Sequence, residues 1–170
     1  MKKNGLAPLV SKGPRILILG SLPGDESLRR QEYYGNPRNL FWQVIAGVYG
    51  APVPESYEEK KRLLFKHHIA LWDVCAAAER EGSLDSNIKN TEFNDLAGFI
   101  KKYPTIQIIV LNGGKAKTEY RRYIRAHRME MLDPEEFFFT STSPLSISAG
   151  WPLERIVEQW KQILTVYEEN

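Results

Sequence analysis

Residues 16 to 19, Ile-Leu-Ile-Leu, are four apolar side chains in a row, and the run stops on Gly20. A strand with one wet face alternates apolar and polar; a short uninterrupted run predicts a strand covered on both faces, and hence a parallel sheet with helices above and below it. Three further segments repeat the signal: Ile69 to Val74, Ile106 to Leu111 and Glu136 to Thr140. Between them apolar residues recur at helical spacing, over Pro37 to Tyr49 with Asn36 as cap, Tyr57 to His67 after Ser56, Asp95 to Tyr103, Lys115 to Arg128 and Pro152 to Tyr167. In the last of these, Leu153, Ile156, Val157, Trp160, Ile163, Leu164 and Tyr167 form one wide stripe that must be buried. Strand and helix alternating in this order predict an α/β fold, a three-layer α/β/α sandwich around a central four-stranded parallel sheet. With 170 residues and no repeat, linker or low-complexity stretch, the chain reads as a single domain over 1–170.

In such a sheet ligands collect beyond the carboxyl ends of the strands, where strand order reverses. The loops that leave the predicted strands, Gly20 to Asn39, Cys75 to Thr91, Asn112 to Lys115 and Ser141 to Ala149, therefore converge on one edge and define one site. Cys75 is the only cysteine, which excludes an internal disulfide and a four-cysteine iron-sulfur cluster, and His67, His68 and His127 show no ligand spacing, so neither metal nor cofactor is expected. No apolar run approaches the roughly 18 residues of a membrane span, and Pro8, Lys12, Gly13 and Pro14 interrupt the region after the basic N-terminus where a secretory signal would need its apolar core. The compartment expected is the cytoplasm, and nothing points to an obligate protein partner, so a monomer is expected. A net charge of +2 permits nucleic-acid binding without requiring it.

Two segments carry a family resemblance. The first is the strand followed by Gly20-Ser21-Leu22-Pro23-Gly24, an aromatic loop with Tyr33-Tyr34-Gly35, and then Asn36-Pro37-Arg38-Asn39-Leu40-Phe41-Trp42. The second is Ser141-Thr142-Ser143-Pro144-Leu145-Ser146 after the Phe-rich strand. Together, at opposite ends of the chain, they resemble the two motifs of the uracil-DNA glycosylase superfamily, especially its mismatch-specific and deoxyinosine (hypoxanthine) branches. The resemblance implies a monofunctional enzyme that extrudes a deaminated base from DNA and hydrolyses its N-glycosidic bond. It places Tyr34 under the base, with Gly20, Ser21, Leu22, Pro23 and Gly24 around it, and Ser143, Pro144, Leu145 and Ser146 on the DNA, Leu145 as the wedge that fills the vacated stack.

The chain departs from that pattern twice. Many relatives carry an Asn or Asp where this chain has Leu22, and several carry a histidine where it has Ser141. Catalysis then falls to Asn39, whose amide would accept a hydrogen bond from water and orient it, with Asp25 and Glu26 as the nearest carboxylates that could substitute. Ser141 and Thr142 would offer neutral donors to the base, and the segment around Asp85, Ser86 and Asn87 resembles the loop that reads the base edge, although Asp85 or Ser86 would equally cap a short turn. Phe41 reads as core, Trp42 is open, and the Asn112-Gly113-Gly114 turn admits either an anion site or plain turn geometry. Lys117, Arg121, Arg125 and Arg128 form a basic stripe, either a DNA track or a solvated face. No lysine stands in a motif position for Schiff-base chemistry. Without a polar residue at 22 or a strong donor at 141, hypoxanthine is the expected substrate, because a purine can be protonated at N7; the alternatives are a uracil or mismatch-directed enzyme and an inactive nucleic-acid-binding module.

Overall fold

The apolar runs form the centre of a parallel sheet. The computed structural model describes residues 1–127 and 132–167. In chain order the elements are β1 (Lys2–Asn4), β2 (Ile16–Gly20), α1 (Asp25–Arg30), α2 (Phe41–Val48), α3 (Tyr57–Lys66), β3 (Ile69–Asp73) and β4 (Cys75–Glu79). A short 3-10 turn (Asp85–Asn87) precedes β5 (Lys89–Phe93), α4 (Leu96–Lys102), β6 (Ile108–Asn112), α5 (Gly114–Ala126), β7 (Glu135–Phe139), α6 (Pro144–Ser148) and α7 (Leu153–Leu164).

The four-stranded sheet has the order β3-β2-β6-β7 and every neighbouring pair is parallel. Because successive side chains point to opposite faces, Ile16 and Ile18 join Phe41, Val44, Ile45, Trp160 and Leu164 on one side, under α2 and α7. Leu17 and Leu19 join Leu96, Phe99, Tyr120 and Tyr123 on the other, under α4 and α5. All four β2 leucines and isoleucines are fully buried. Helix α2 lies so close to α7 that a Cβ on Gly47 would stand 2.9 Å from a Val157 methyl.

The structure departs from the sequence expectation in several places, one of them α1, which stands inside the expected Gly20-to-Asn39 loop. A second sheet, antiparallel and of order β1-β4-β5, occupies the region expected to be loop from Cys75 to Thr91. Its strands, Lys-Lys-Asn, Cys-Ala-Ala-Ala-Glu and Lys-Asn-Thr-Glu-Phe, are alanine-rich or polar and carry little strand signal. The helix expected from Pro37 begins at Phe41. Asn36 is no cap: its side chain accepts the Arg38 amide, its carbonyl accepts the Asn39 amide, and the Leu40 amide is drawn to the Thr142 carbonyl at 2.9 Å, which holds residues 37–40 outside the helix. The Pro144–Ser148 segment, expected as loop, is a short helix whose cap, Ser143, accepts the Leu145 amide. The last helix stops at Leu164 and not at Tyr167. Ser56 does cap α3, accepting the Glu59 amide, and Asp95 caps α4.

Candidate active site

The chain runs from β2 to β3 on one flank of β2 and later returns to β6 on the other, so strand order reverses between β2 and β6. Beyond the carboxyl ends of those strands lies a cavity of about 520 Å³, within the roughly 300–1,000 Å³ of small-molecule sites. Gly20 to Gly24, Tyr34, Asn39, Asp85, Ser86, Ser141 and Ser143 to Leu145 all line it. Ser146, Lys117 and Arg121 do not.

The floor is aromatic. Tyr34 lies flat on Phe41, ring centroids 4.0 Å apart and planes 4° from parallel, so one face is backed by the core and the other is left for the cavity. Its backbone is left-handed, φ 52°, an uncommon state for a tyrosine that turns the ring inward between buried Tyr33 and Gly35. The phenol is buried, which with the nearby Asp73 carboxyl pushes it well above its ordinary range, so it is never ionised in use. Trp42, open from sequence, is core: it is buried and its indole donates to the Tyr33 carbonyl at 3.2 Å.

One hydrogen-bonded chain ties the floor to both motif loops. The Asn112 amide nitrogen donates to the Tyr34 hydroxyl at 3.0 Å and to the Thr142 hydroxyl at 3.2 Å, while its oxygen accepts the Thr142 amide at 3.1 Å. The Thr142 hydroxyl donates to Asn39 Oδ1 at 2.8 Å, and the same oxygen accepts the Phe41 amide at 2.9 Å. A backbone N–H can only donate, so the Asn39 atom that accepts it is the oxygen, and both its lone pairs are used. This corrects the expectation that the Asn39 oxygen is free to accept from water. What remains for the cavity is the amide nitrogen, which has no partner among the described residues.

The opposite wall rests on the small sheet. Leu22 packs with Cys75, Ala78 and Ile88, so at this position an apolar side chain anchors the loop to the hairpin where a polar one would be buried without purpose. The Arg80 side chain, buried beside it, donates to the Pro23, Gly82 and Leu22 carbonyls. The Ser21 hydroxyl donates to Asp85 at 2.9 Å, and Asp85 stands 3.9 Å from the Arg80 guanidinium. Asp85 and Ser86 form the 3-10 turn itself and cap nothing. Burial pushes the Cys75 thiol up to about 12, which makes it inert packing.

Asp25 and Glu26 lie outside the cavity. Asp25 pairs with Lys3 at 2.5 Å, and Arg29 and Arg30 hold Glu26 down to about 2. The carboxyl inside the cavity is Asp73, which the sequence analysis passed over inside the strand Ile69 to Val74. It ends β3 as the register partner of Gly20. A Cβ on Gly20 would lie 2.5 Å from Asp73 Oδ1 and 3.4 Å from the Tyr34 hydroxyl, so glycine there makes room for both. Asp73 is 6% exposed, Oδ2 has no hydrogen-bond partner among the described residues, and burial, reinforced by Asp85, raises it to about 7. The signal was available: Asp73 and Asn112 each put a polar residue at the carboxyl end of an otherwise apolar parallel strand.

On the second motif, the Ser141 hydroxyl oxygen accepts the Ser143 amide at 3.0 Å, and Leu145 is 63% exposed at the cavity mouth. Gly113, at φ 98°, passes so close that a Cβ would meet Ser141 at 2.8 Å, which brings the start of α5 against this loop. Lys117 and Arg121 therefore begin about 5 and 10 Å along α5 from the site edge, at 1.5 Å per residue. Lys117 lies over the Phe138 ring, Arg121 and Arg125 are exposed, and Arg128 is outside the described residues. The buried face of α5 holds Glu119, bonded by Lys115 and Arg122, besides Ala116, Tyr120 and Tyr123. Among the described residues, no three His, Cys, Asp or Glu side chains converge as a cation site, and no helix is long and apolar enough to cross a membrane.

A parallel-sheet enzyme with an aromatic-floored cavity at its switch point is one class among many α/β folds, and comparison narrows it. Residues 7–164 match the family model of the uracil DNA glycosylase superfamily, and the chain belongs to that superfamily. It is 44% identical over 126 residues to a hypoxanthine DNA glycosylase from Methanosarcina acetivorans, covering 74% of this chain and 79% of the relative. A second hypoxanthine DNA glycosylase, from Methanosarcina barkeri, is 39% identical over 127 residues, 74% of this chain and 80% of the relative. The solution NMR structure of a Methanosarcina acetivorans protein, provisionally named a uracil DNA glycosylase, superposes with a TM-score of 0.81 at 35% identity, over 99% of this chain and 100% of that one.

Proposed function

We propose that this chain is a monofunctional DNA glycosylase that takes a deaminated base, preferably hypoxanthine, out of DNA and hydrolyses its N-glycosidic bond. The observation that carries the reading is the cavity floor: a ring backed face-to-face by a core phenylalanine, joined through Asn112 and Thr142 to Asn39. A flat, rigid π-face beside polar groups suits a nucleobase pulled from the stack. The names of the two curated relatives support hypoxanthine as the base.

In this reading the base rests on Tyr34, Leu145 occupies the gap it leaves in the duplex, and Ser143 with its neighbours meets phosphates. Asn39 donates from its amide nitrogen to the oxygen of the attacking water, which keeps a lone pair for C1′; an amide so placed positions water without deprotonating it, as a mechanism with cleavage ahead of attack requires. Lys117 and Arg121 extend the contact along the DNA backbone. The chain works as a single-domain monomer in the cytoplasm. Duplexes carrying hypoxanthine, uracil, xanthine or no lesion, incubated with the protein and then treated with alkali, test this. Strand breaks are expected at hypoxanthine first, and only after alkali. Faster release of uracil at matched duplex and salt reassigns the substrate, and binding without release at any lesion leaves a nucleic-acid-binding module.

A further inference from the structure

We infer that Asp73 is a further catalytic residue, the general acid that hands a proton to N7 of the departing purine; this rests on the glycosylase reading above. Several side-chain donors at the cavity are already committed. The Asn112 amide is spent on Tyr34 and Thr142, the Thr142 hydroxyl on Asn39, and the Ser21 hydroxyl on Asp85. Asn39 keeps an amide N–H, which can donate but cannot give up its proton. Asp73 alone among these side chains both lines the cavity and can part with a proton at neutral pH.

The surroundings hold that proton in place. Asp73 is buried, its Oδ2 has no protein partner among the described residues, and it sits beside Gly20 at the hydroxyl end of the Tyr34 ring. A base lying on that ring would meet the carboxyl edge-on. The groups that face Asp73 are Asp85 from the 3-10 turn, Arg80 beyond β4, the Tyr33 and Tyr34 phenols from the β2–α2 connection, and the Cys75 thiol of β4. Only Arg80 is positive, and its donors are committed to three backbone carbonyls and the Asp85 pair. Burial and Asp85 outweigh it and hold the carboxyl near 7, where it is protonated in much of the population yet able to ionise.

The step balances. The C1′–N9 bond breaks with its electron pair going to the purine, the Asp73 proton moves to N7, and the base leaves as neutral hypoxanthine. Water adds to C1′, and the proton it sheds passes to solvent, from which Asp73 is reprotonated. A purine with N7 takes this route and a pyrimidine does not, which gives the cavity a chemical reason to prefer hypoxanthine that neither Leu22 nor Ser141 provides.

The test is the second-order rate of hypoxanthine excision from duplex DNA, measured from about pH 5.5 to 9 with the full chain and with Asp73→Asn. The unaltered protein is expected to lose rate above about pH 7, approaching about tenfold per pH unit. Asp73→Asn is expected to be about a hundredfold slower at pH 6, with a flat profile, so that the two curves converge as pH rises. A variant as fast as the parent at pH 6, or one whose rate declines in parallel with it, overturns the inference. Should Asp73→Asn fail to fold, 7-deaza-2′-deoxyinosine, which lacks N7, asks the same question of the unaltered protein. No excision, or slow excision without the alkaline decline, is expected; a decline parallel to that with hypoxanthine overturns the inference. If the unaltered protein releases hypoxanthine at no pH, the glycosylase reading fails and this inference falls with it.

Discussion

Asn39 illustrates how one hydrogen bond decides a role. The Phe41 amide and the Thr142 hydroxyl both donate to its oxygen, so the side chain is fixed in one orientation and its nitrogen faces the cavity. A side chain held at two points by neighbours positions a ligand better than one free to rotate, because the ordering is already done before the ligand arrives. Asn39→Ala removes the donor, and excision of hypoxanthine is expected to fall about a hundredfold in single-turnover assays, with DNA affinity unchanged and about 1 kcal/mol of stability lost with the Phe41 amide's partner. Thr142→Val keeps the volume and removes only the clamp; a drop of about tenfold is expected there, and equal effects of the two substitutions would mean that Thr142 acts on its own account.

At the level of elements, the second motif matters for its form. Expected as loop, Pro144–Ser148 is a capped turn of helix, with Pro at its first position and Ser143 closing it, so Leu145 is presented from a fixed platform at the cavity mouth. Leu145 and Ile147 are exposed apolar side chains with little to contribute to the fold. Leu145→Ala is accordingly expected to leave the melting temperature within about a degree while slowing excision from paired duplex about tenfold and from single strands hardly at all, since a wedge acts on the stack. Equal losses on the two substrates would assign Leu145 to base binding. The small sheet has a comparable supporting role. Arg80 reaches from the end of β4 to the Pro23 carbonyl, and Leu22 packs onto the same hairpin, so the cavity wall is carried by an element outside the main sheet.

For the whole molecule, a buried carboxyl near 7 is a liability to stability. An exposed carboxyl ionises near 3.8 and Asp73 near 7, so below about pH 4 both folded and unfolded chains hold this proton and folding costs nothing extra. Between those values the unfolded chain ionises and the folded one does not, and stability falls as pH rises; above about 7 the full penalty applies. At about 1.4 kcal/mol per tenfold change in proton affinity, the penalty reaches at most about 4 kcal/mol. Asp73→Asn carries no such charge, so its melting temperature is expected to exceed the parent's by a margin that widens from pH 4 to 7 and then levels, read by thermal denaturation at each pH. A constant margin would show that Asp73 has an ordinary proton affinity, and a margin that narrows as pH rises would show that it is paired. A group that costs the fold this much at working pH fits a functional site, where stability and activity oppose each other.

Much of this protein follows from its sequence alone. Apolar runs separated by amphipathic stretches point to a parallel sheet covered on both faces, because the runs of β2 and β6 leave no wet side even though the edge strand β7 keeps Phe138 half exposed, and the two motifs follow strands whose carboxyl ends must meet. Local chemistry also placed Ser56 as a cap, since a cap involves only residues three apart. Tertiary structure decided what depends on partners distant in the chain. The Thr142 carbonyl, a hundred residues away, takes the Leu40 amide and delays α2 to Phe41. The alanine strand β4 has no pattern of its own and is a strand because β1 and β5 pair with it. Asp73 is one more acid in a sequence with 21 acidic residues, and only the packing of β2, β3 and the Tyr34 ring around it withholds water and partners and thereby sets its proton affinity.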